Sequence, residues 1–234
     1  MTQTKEDKSH YGIEAIVSSK WVSSRNKISD LYESEKFFFK PFIKKSSSFL
    51  DLGCATGGFY NILKKQKNSF KYSGYDVSQE MILNAKKNFN KVNFNLYNGK
   101  TIKKKKNSVD MCFSFGTLHH VSNFYNLIDQ MVKISKKYIL FDLRFTNKKS
   151  LINTKNSQQY FFHKNKIVSK IQYNVINLEL FLSKMEKYKK KYSVNIYGYP
   201  HKPNKTVKTK YNEIITACIL INKTENKKLI IDIK

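Results

Sequence analysis

Residues 49–59 read FLDLGCATGGF, an apolar run that gives way to Gly53, Gly57 and Gly58 close behind one acid, Asp51. Glycine at the end of a buried strand permits a tight turn, and Gly57 at the start of a following helix lets a ligand approach the backbone. Asp51, at the carboxyl end of the strand, can accept hydrogen bonds from a cationic amine. A second acid, Asp76, closes the segment KYSGYD, 19 residues after Gly57. A carboxylate at that spacing can take both hydroxyls of a ribose, as in dinucleotide-binding folds. The pyrophosphate-binding loop needs G-x-G-x-x-G, whereas Ala55 stands here in the middle position and Asp51 two residues before Gly53. An acid there repels a pyrophosphate and suits an ammonium, which disfavours a nicotinamide or flavin cofactor.

Further polar residues follow later strands. His119 and His120, in LHHV, lie after one strand; His119 either takes the proton of an acceptor hydroxyl or simply packs. Asp142 and Arg144, in FDLRF, leave the next strand at the edge where open α/β sheets bind ligands. Asp142 is either a catalytic group or a buried carboxylate paired with Arg144. Arg25 and Arg144 are the only arginines among 44 basic residues. A guanidinium offers a rigid two-pronged donor that lysine cannot replace, so arginine in a lysine chain marks geometry: an anion site or an ordinary ion pair. Tyr173, Tyr199 and His201 sit in later segments that can fold over the same edge, with aromatic bodies and polar tips.

The elements that position these residues alternate regularly from residue 48. Strand FLDLG, helix FYNILKKQK, strand FKYSGYD, helix QEMILNAKKNF, strand VNFNLY, strand VDMCFSF, helix FYNLIDQMVKIS and strand KYILFDL imply right-handed crossovers and a doubly wound, mainly parallel sheet. Before it, Asp30 is placed to cap a helix that Pro41 stops near Lys40. After it, QQYFFHKNKIVSKIQYNVI reads as a hairpin and NLELFLSKMEKYKK as a helix capped by Asn177, and YSVNIYGY and IITACILIN read as closing strands. The expected organisation is one α/β domain: a helical cap over 1–47, a cofactor-binding core over 48–145, a substrate-covering segment over 146–192 and closing strands over 193–234.

At this point the chain resembles the class I S-adenosylmethionine-dependent methyltransferases, whose first motif is (D/E)-x-G-x-G-x-G. The resemblance covers about residues 48–145. It implies a Rossmann-like seven-stranded sheet with the last strand antiparallel, and S-adenosylmethionine as cofactor. It places Asp51, Gly53, Cys54, Ala55 and Gly57 along the cofactor, with Asp76 and Val77 at its ribose. Asn98 and Gly99 fall at the adenine, where Asn98 replaces the family's aspartate. Phe115 and Gly116, in SFGTLHHV, fall at the methionine end. Arg25 then holds the cofactor carboxylate or closes an N-terminal lid, and Arg144 holds an anionic acceptor. A weaker similarity, to methyltransferases among bacterial surface-polysaccharide enzymes, implies O-methylation of a small phosphorylated or nucleotide-linked glycan precursor.

Composition bounds the alternatives. The net charge of +27 admits an RNA methyltransferase. Against it, the basic residues are almost all lysine and accompany abundant Asn, Ile, Phe and Tyr, the pattern of AT-rich coding, so nucleic acid is the less favoured partner. A non-catalytic cofactor-binding subunit is disfavoured by the intact loop. The longest apolar run, about eight residues around 214–221, is far short of the roughly 20 that cross a bilayer. Cys54, Cys112 and Cys218 lack disulfide or zinc spacing, no carboxylate cluster has metal-ligand spacing, and the N-terminus lacks a signal-peptide core. A soluble cytoplasmic protein without a metal is expected.

Overall fold

A computed structural model of the chain describes residues 25–234, so residues 1–24 of the expected N-terminal cap lie outside the described part. The first described helix, α1 (Glu33–Lys44), corrects the expectation for Asp30 and Pro41. The Asp30 carboxylate accepts from Asn26 N and Lys27 N, both at 2.9 Å, and so caps the short turn Ile28–Asp30 instead of the helix. Glu35 closes the start of α1 by accepting from Tyr32 N at 3.0 Å. Pro41 lies within α1 on its exposed side, where the carbonyl it leaves unbonded can turn to water.

Next come β1 (Ser48–Leu52), α2 (Gly58–Gln66), β2 (Lys71–Asp76), α3 (Gln79–Asn88), β3 (Asn93–Leu96), β4 (Val109–Ser114), α4 (Phe124–Ile134) and β5 (Ser135–Thr146), in the expected alternation. The rest comprises β6 (Ser157–His163), β7 (Lys166–Gln172), β8 (Ile176–Asn177), α5 (Leu178–Lys189), β9 (Ser193–His201), β10 (Val207–Thr209), β11 (Ile214–Asn222) and β12 (Lys228–Ile233). The sheet runs β12-β9-β11-β5-β4-β1-β2-β3. Strands β1 to β5 pair parallel, and β11 lies antiparallel between β5 and β9. The seven-stranded expectation is met in its core and exceeded at its margins. β12 adds an eighth strand on the edge of β9, and the two-residue β8 pairs beside β5.

Burial explains the local sequences. Every residue of β4 and of β11 is buried, because both faces of a central strand are covered, and both read as nearly unbroken apolar runs. α4 buries Phe124, Leu127, Ile128 and Met131 at helical spacing against one face. α5 joins it there, started by Asn177, whose Oδ1 accepts from Leu180 N at 2.8 Å. The opposite face is packed by α1, α2 and α3 around Phe39, Phe59, Leu63 and Ala85. The three cysteines are unpaired and buried. No helix among the described residues is long and apolar enough to cross a membrane.

Candidate active site

Three chain turns meet at the carboxyl ends of β1, β2 and β4. Gly53 has φ +84° and its N–H donates to Tyr75 O at 2.7 Å; a Cβ there would fall 2.0 Å from Thr117 Oγ1. Only glycine lets the end of β1 and the turn after β4 touch in this way. Gly57 is required by the packing beneath the loop. Its missing Cβ would meet Phe94 and Phe89 at about 3 Å, so the absent side chain makes room for the core beneath the loop. Cys54 likewise turns its side chain inward, toward Gly74. Ala55 holds φ 45° and donates its N–H to Asp76 Oδ2 at 2.9 Å. Asp76 Oδ1 accepts from Ser78 N at 2.9 Å. Each oxygen of Asp76 thus takes one backbone N–H and keeps a lone pair for a ribose hydroxyl.

Asp51 is buried and accepts from Tyr72 Oη at 2.7 Å. Burial lifts its pKa to about 7, against the pull of the Tyr72 hydrogen bond. Val77 and Gly99 lie side by side, with the position of a Gly99 Cβ 3.5 Å from Val77 Cγ1. Asn98 is exposed, and its Oδ1 accepts from Lys100 N at 3.0 Å and Thr101 N at 2.8 Å. The turn therefore occupies its oxygen, and the amide nitrogen is what Asn98 can offer a base: a donor, where an aspartate would accept. Phe115 is buried among Phe39, Phe59 and Phe113, so only its backbone can line the site.

The second half of the site lies on one face of β5, β11 and β9. Arg144, Thr216 and Tyr199 are direct cross-strand neighbours, and Asp142, Cys218 and Tyr197 form the next row. Both oxygens of Asp142 are engaged: Oδ1 accepts from Gly116 N at 2.6 Å and Oδ2 pairs with Arg144 Nη1 at 2.6 Å. Arg144 Nε donates to Tyr173 Oη at 3.0 Å. The Tyr32 ring lies 5.3 Å from Arg25 Cζ and 5.6 Å from Arg144 Cζ. Arg25 sits over Gly116, whose absent Cβ would be 2.8 Å from Arg25 Nη1, and that nitrogen is buried without a hydrogen-bond partner among the described residues. A guanidinium with an unused buried donor, poised over the turn after β4, fits the carboxylate end of an amino-acid-like cofactor.

Sequence reasoning missed Glu35, which completes this array. It is fully buried, and Arg25 Nη2 lies 2.9 Å from its Oε1. Burial raises its pKa to about 7, opposed by Arg25 and reinforced by Asp142. The available signal was its position, in helical register with Leu31, Phe38, Phe39 and Phe42, all buried. A carboxylate on the apolar stripe of a helix needs a cationic partner.

His119 is buried, with Nδ1 4.0 Å from Asp142 Oδ2 and no hydrogen-bond partner for that nitrogen among the described residues. Burial, then His120 and the two guanidinium groups, hold its pKa well below the usual value, so it is neutral. The segment after β7 is pinned to this turn, Asn174 N donating to His119 O at 2.7 Å and Asn174 Nδ2 to Val121 O at 2.9 Å. From that anchor the hairpin β6–β7, joined by β10 in a small second sheet, packs Phe161 and Ile171 against Met81 of α3 and Ala55 of the turn after β1. His201 shares the acceptor-side face, with Nε2 2.6 Å from Thr216 Oγ1 and Nδ1 2.8 Å from Lys202 O, so both ring nitrogens are engaged. The structure thus joins His119, Asp142, Arg144 and Tyr173 through direct contacts, with Arg25 reaching them by way of Tyr32 and Gly116. Tyr199 and His201 lie beside them on the same face of β9, while Val77 and Gly99 lie side by side after β2 and β3.

Fold and site together define a cofactor-dependent transferase of the Rossmann-like kind. The chain belongs to the methyltransferase family: the family model described as "Methyltransferase domain" matches residues 43–227. It is similar in structure to a S-adenosylmethionine-dependent methyltransferase of Methanosarcina mazei (TM-score 0.58, 13% identity, covering 82% of this chain and 98% of that one). It is also similar to the N-terminal domain of EvdMO1 with S-adenosylhomocysteine bound (TM-score 0.56, 11% identity, 79% of this chain and 78% of that one). A third similar structure is the [4+2]-cyclase SpnF (TM-score 0.61, 10% identity, 92% and 94% covered). No curated protein matches the chain. The protein is a S-adenosylmethionine-dependent methyltransferase.

Proposed function

We propose that this methyltransferase O-methylates a small anionic acceptor, phosphorylated or nucleotide-linked, of the kind that supplies bacterial surface-polysaccharide assembly. One observation carries the reading. A chain that uses lysine at all but two of its 44 basic positions buries a guanidinium, Arg144, in the array next to the cofactor loop, with Arg25 beside it. Burial raises the Glu35 pKa to about 7, so part of its negative charge is lost near neutral pH, which leaves the two guanidinium groups better suited to an anion. Three buried, unpaired cysteines fit a reducing cytoplasm.

S-adenosylmethionine supplies a methyl group on a sulfonium, open to in-line displacement by the acceptor oxygen. The protein's contribution is alignment and exclusion of water. In this reading Asp76 holds the ribose and Asp51 the amine, while Arg25 uses its free Nη1 for the carboxylate. Arg144 and Tyr173 grip the acceptor. Asp142 acts as a positioning residue, fixing Gly116 and Arg144 at once. His119, kept neutral, takes the hydroxyl proton as the new carbon–oxygen bond forms. The hairpin β6–β7 covers the reacting centre.

The test is methyl transfer to matched acceptors, phosphorylated and neutral, measured for the wild type and for Arg144→Lys. The expected result is transfer to the phosphorylated acceptor, with Arg144→Lys losing most of kcat/KM while cofactor affinity stays nearly intact. Equal loss of both would move Arg144 into the cofactor site or the core. The net charge of +27 favours one other reading, an RNA methyltransferase. Transfer to RNA, with no small acceptor methylated, would replace the first by the second.

A further inference from the structure

β12 lies outside everything the catalytic reading uses. It is the last strand in the sheet order, pairs with β9 on one side only, and among the described residues nothing pairs with its other edge. Its sequence is KLIIDI, paired along its whole length without a bulge and without proline. Leu229, Ile230 and Ile231 are 38%, 39% and 41% exposed. Natural edge strands are blunted by bulges, proline, cover or central charges, because an open apolar edge recruits another strand. Here the charges stand toward the ends and the centre is apolar on both faces.

Symmetry limits what such an edge can pair with in a second copy of itself. A two-fold axis normal to the sheet leaves every side chain on its own face, and opposed residues in an antiparallel pair share a face. Each residue can therefore meet only a residue an even number of positions away, and the pair must be centred on a residue. Centring on Ile231 would set Lys228 against Lys234 and Ile230 against Asp232. Centring on Leu229 would set Lys228 against Ile230. Centring on Ile230 sets Lys228 of each copy against Asp232 of the other, Leu229 against Ile231, and Ile230 against itself. Among these registers this is the one that opposes opposite charges twice and keeps every central pair apolar. On one face, Leu229 and Ile231 extend the apolar row begun by their β9 partners Val194 and Ile196, both buried. On the other face, Phe37, 53% exposed, stacks on Tyr197, the β9 partner of Asp232.

We propose that β12 is the dimer interface of this protein, two copies joining antiparallel about Ile230 into one continuous sheet. The experiment is sedimentation velocity with light scattering on the full chain, over a concentration series from low to high micromolar. The expected wild-type result is a species of twice the 27.6 kDa chain mass that dissociates on dilution. Asp232→Lys opposes lysine to lysine and should leave a monomer. Adding Lys228→Asp to that variant restores both opposite-charge pairs and should restore the dimer. Ile230→Lys, with two charges on the axis, should stay monomeric. Cofactor binding, measured alongside, reports that each variant is folded, since β12 contributes nothing to the cofactor loop. A monomeric wild type across the whole range overturns the proposal, as does a dimer indifferent to Asp232→Lys. Failure of the double variant to recover the dimer overturns the register.

Discussion

Asp76 and Glu35 show how differently two carboxylates can be used. Asp76 is held by two backbone N–H groups and keeps a lone pair on each oxygen. Asp76→Ala should weaken S-adenosylmethionine binding by about 1.5–3 kcal/mol in a calorimetric titration, the range for hydrogen bonds to a charged group. Unchanged affinity would remove Asp76 from the ribose. Glu35 and Asp51 are buried and shifted upward, Glu35 from 4.5 and Asp51 from 3.8, both to about 7. Between those values the folded chain keeps protons that the unfolded chain has released. The stability tied to these protons is complete at acid pH and is lost as pH rises through about 7. Thermal unfolding of the cofactor-free protein should show that decline, and Glu35→Gln should flatten its part of it; an identical slope in the variant would show Glu35 ionised throughout. Asp51 and Asp76 were legible in the sequence because strand ends announce themselves. Glu35 was not, because its meaning depends on Arg25 and Arg144, which reach it only through the fold.

The elements act as clamps. The end of β1 and the turn after β4 touch because Gly53 has no side chain where Thr117 stands. Gly53→Ala combines that clash with a positive φ, and should lower the melting temperature and cut cofactor affinity at least tenfold. Melting and titration read the two effects separately, and normal binding in a destabilised variant would confine Gly53 to folding. α1 lies over β5, β9 and β11 and carries Glu35 onto the acceptor face. The hairpin β6–β7 is anchored beside His119 and reaches Ala55. The alternation from β1 to β5, the hairpin and the Asn177 cap could all be read from periodicity. Pro41 could not, since whether a proline ends a helix depends on which side of it faces water.

At the scale of the whole molecule, charge and chemistry separate. The lysines give a field that attracts any polyanion, and binding to a non-specific RNA should fall steeply with salt. Methyl transfer to a small acceptor held by buried groups should change far less over the same range. Parallel salt dependence of the two would tie the field to the reaction and favour the RNA reading. The sequence by itself determined the order of strands and helices, the methyltransferase loop and its two acids, because these rest on local periodicity and on motifs short in the chain. Only the tertiary structure decided that Asp142 is occupied by Gly116 and Arg144, that Glu35 pairs with Arg25 while Tyr32 lies beside both guanidinium groups, and that β12 leaves an open edge among the described residues. Those facts arise from strand order and helix placement, which bring Gly116 to Asp142 and Tyr32 to Arg144, and no local pattern encodes such pairings.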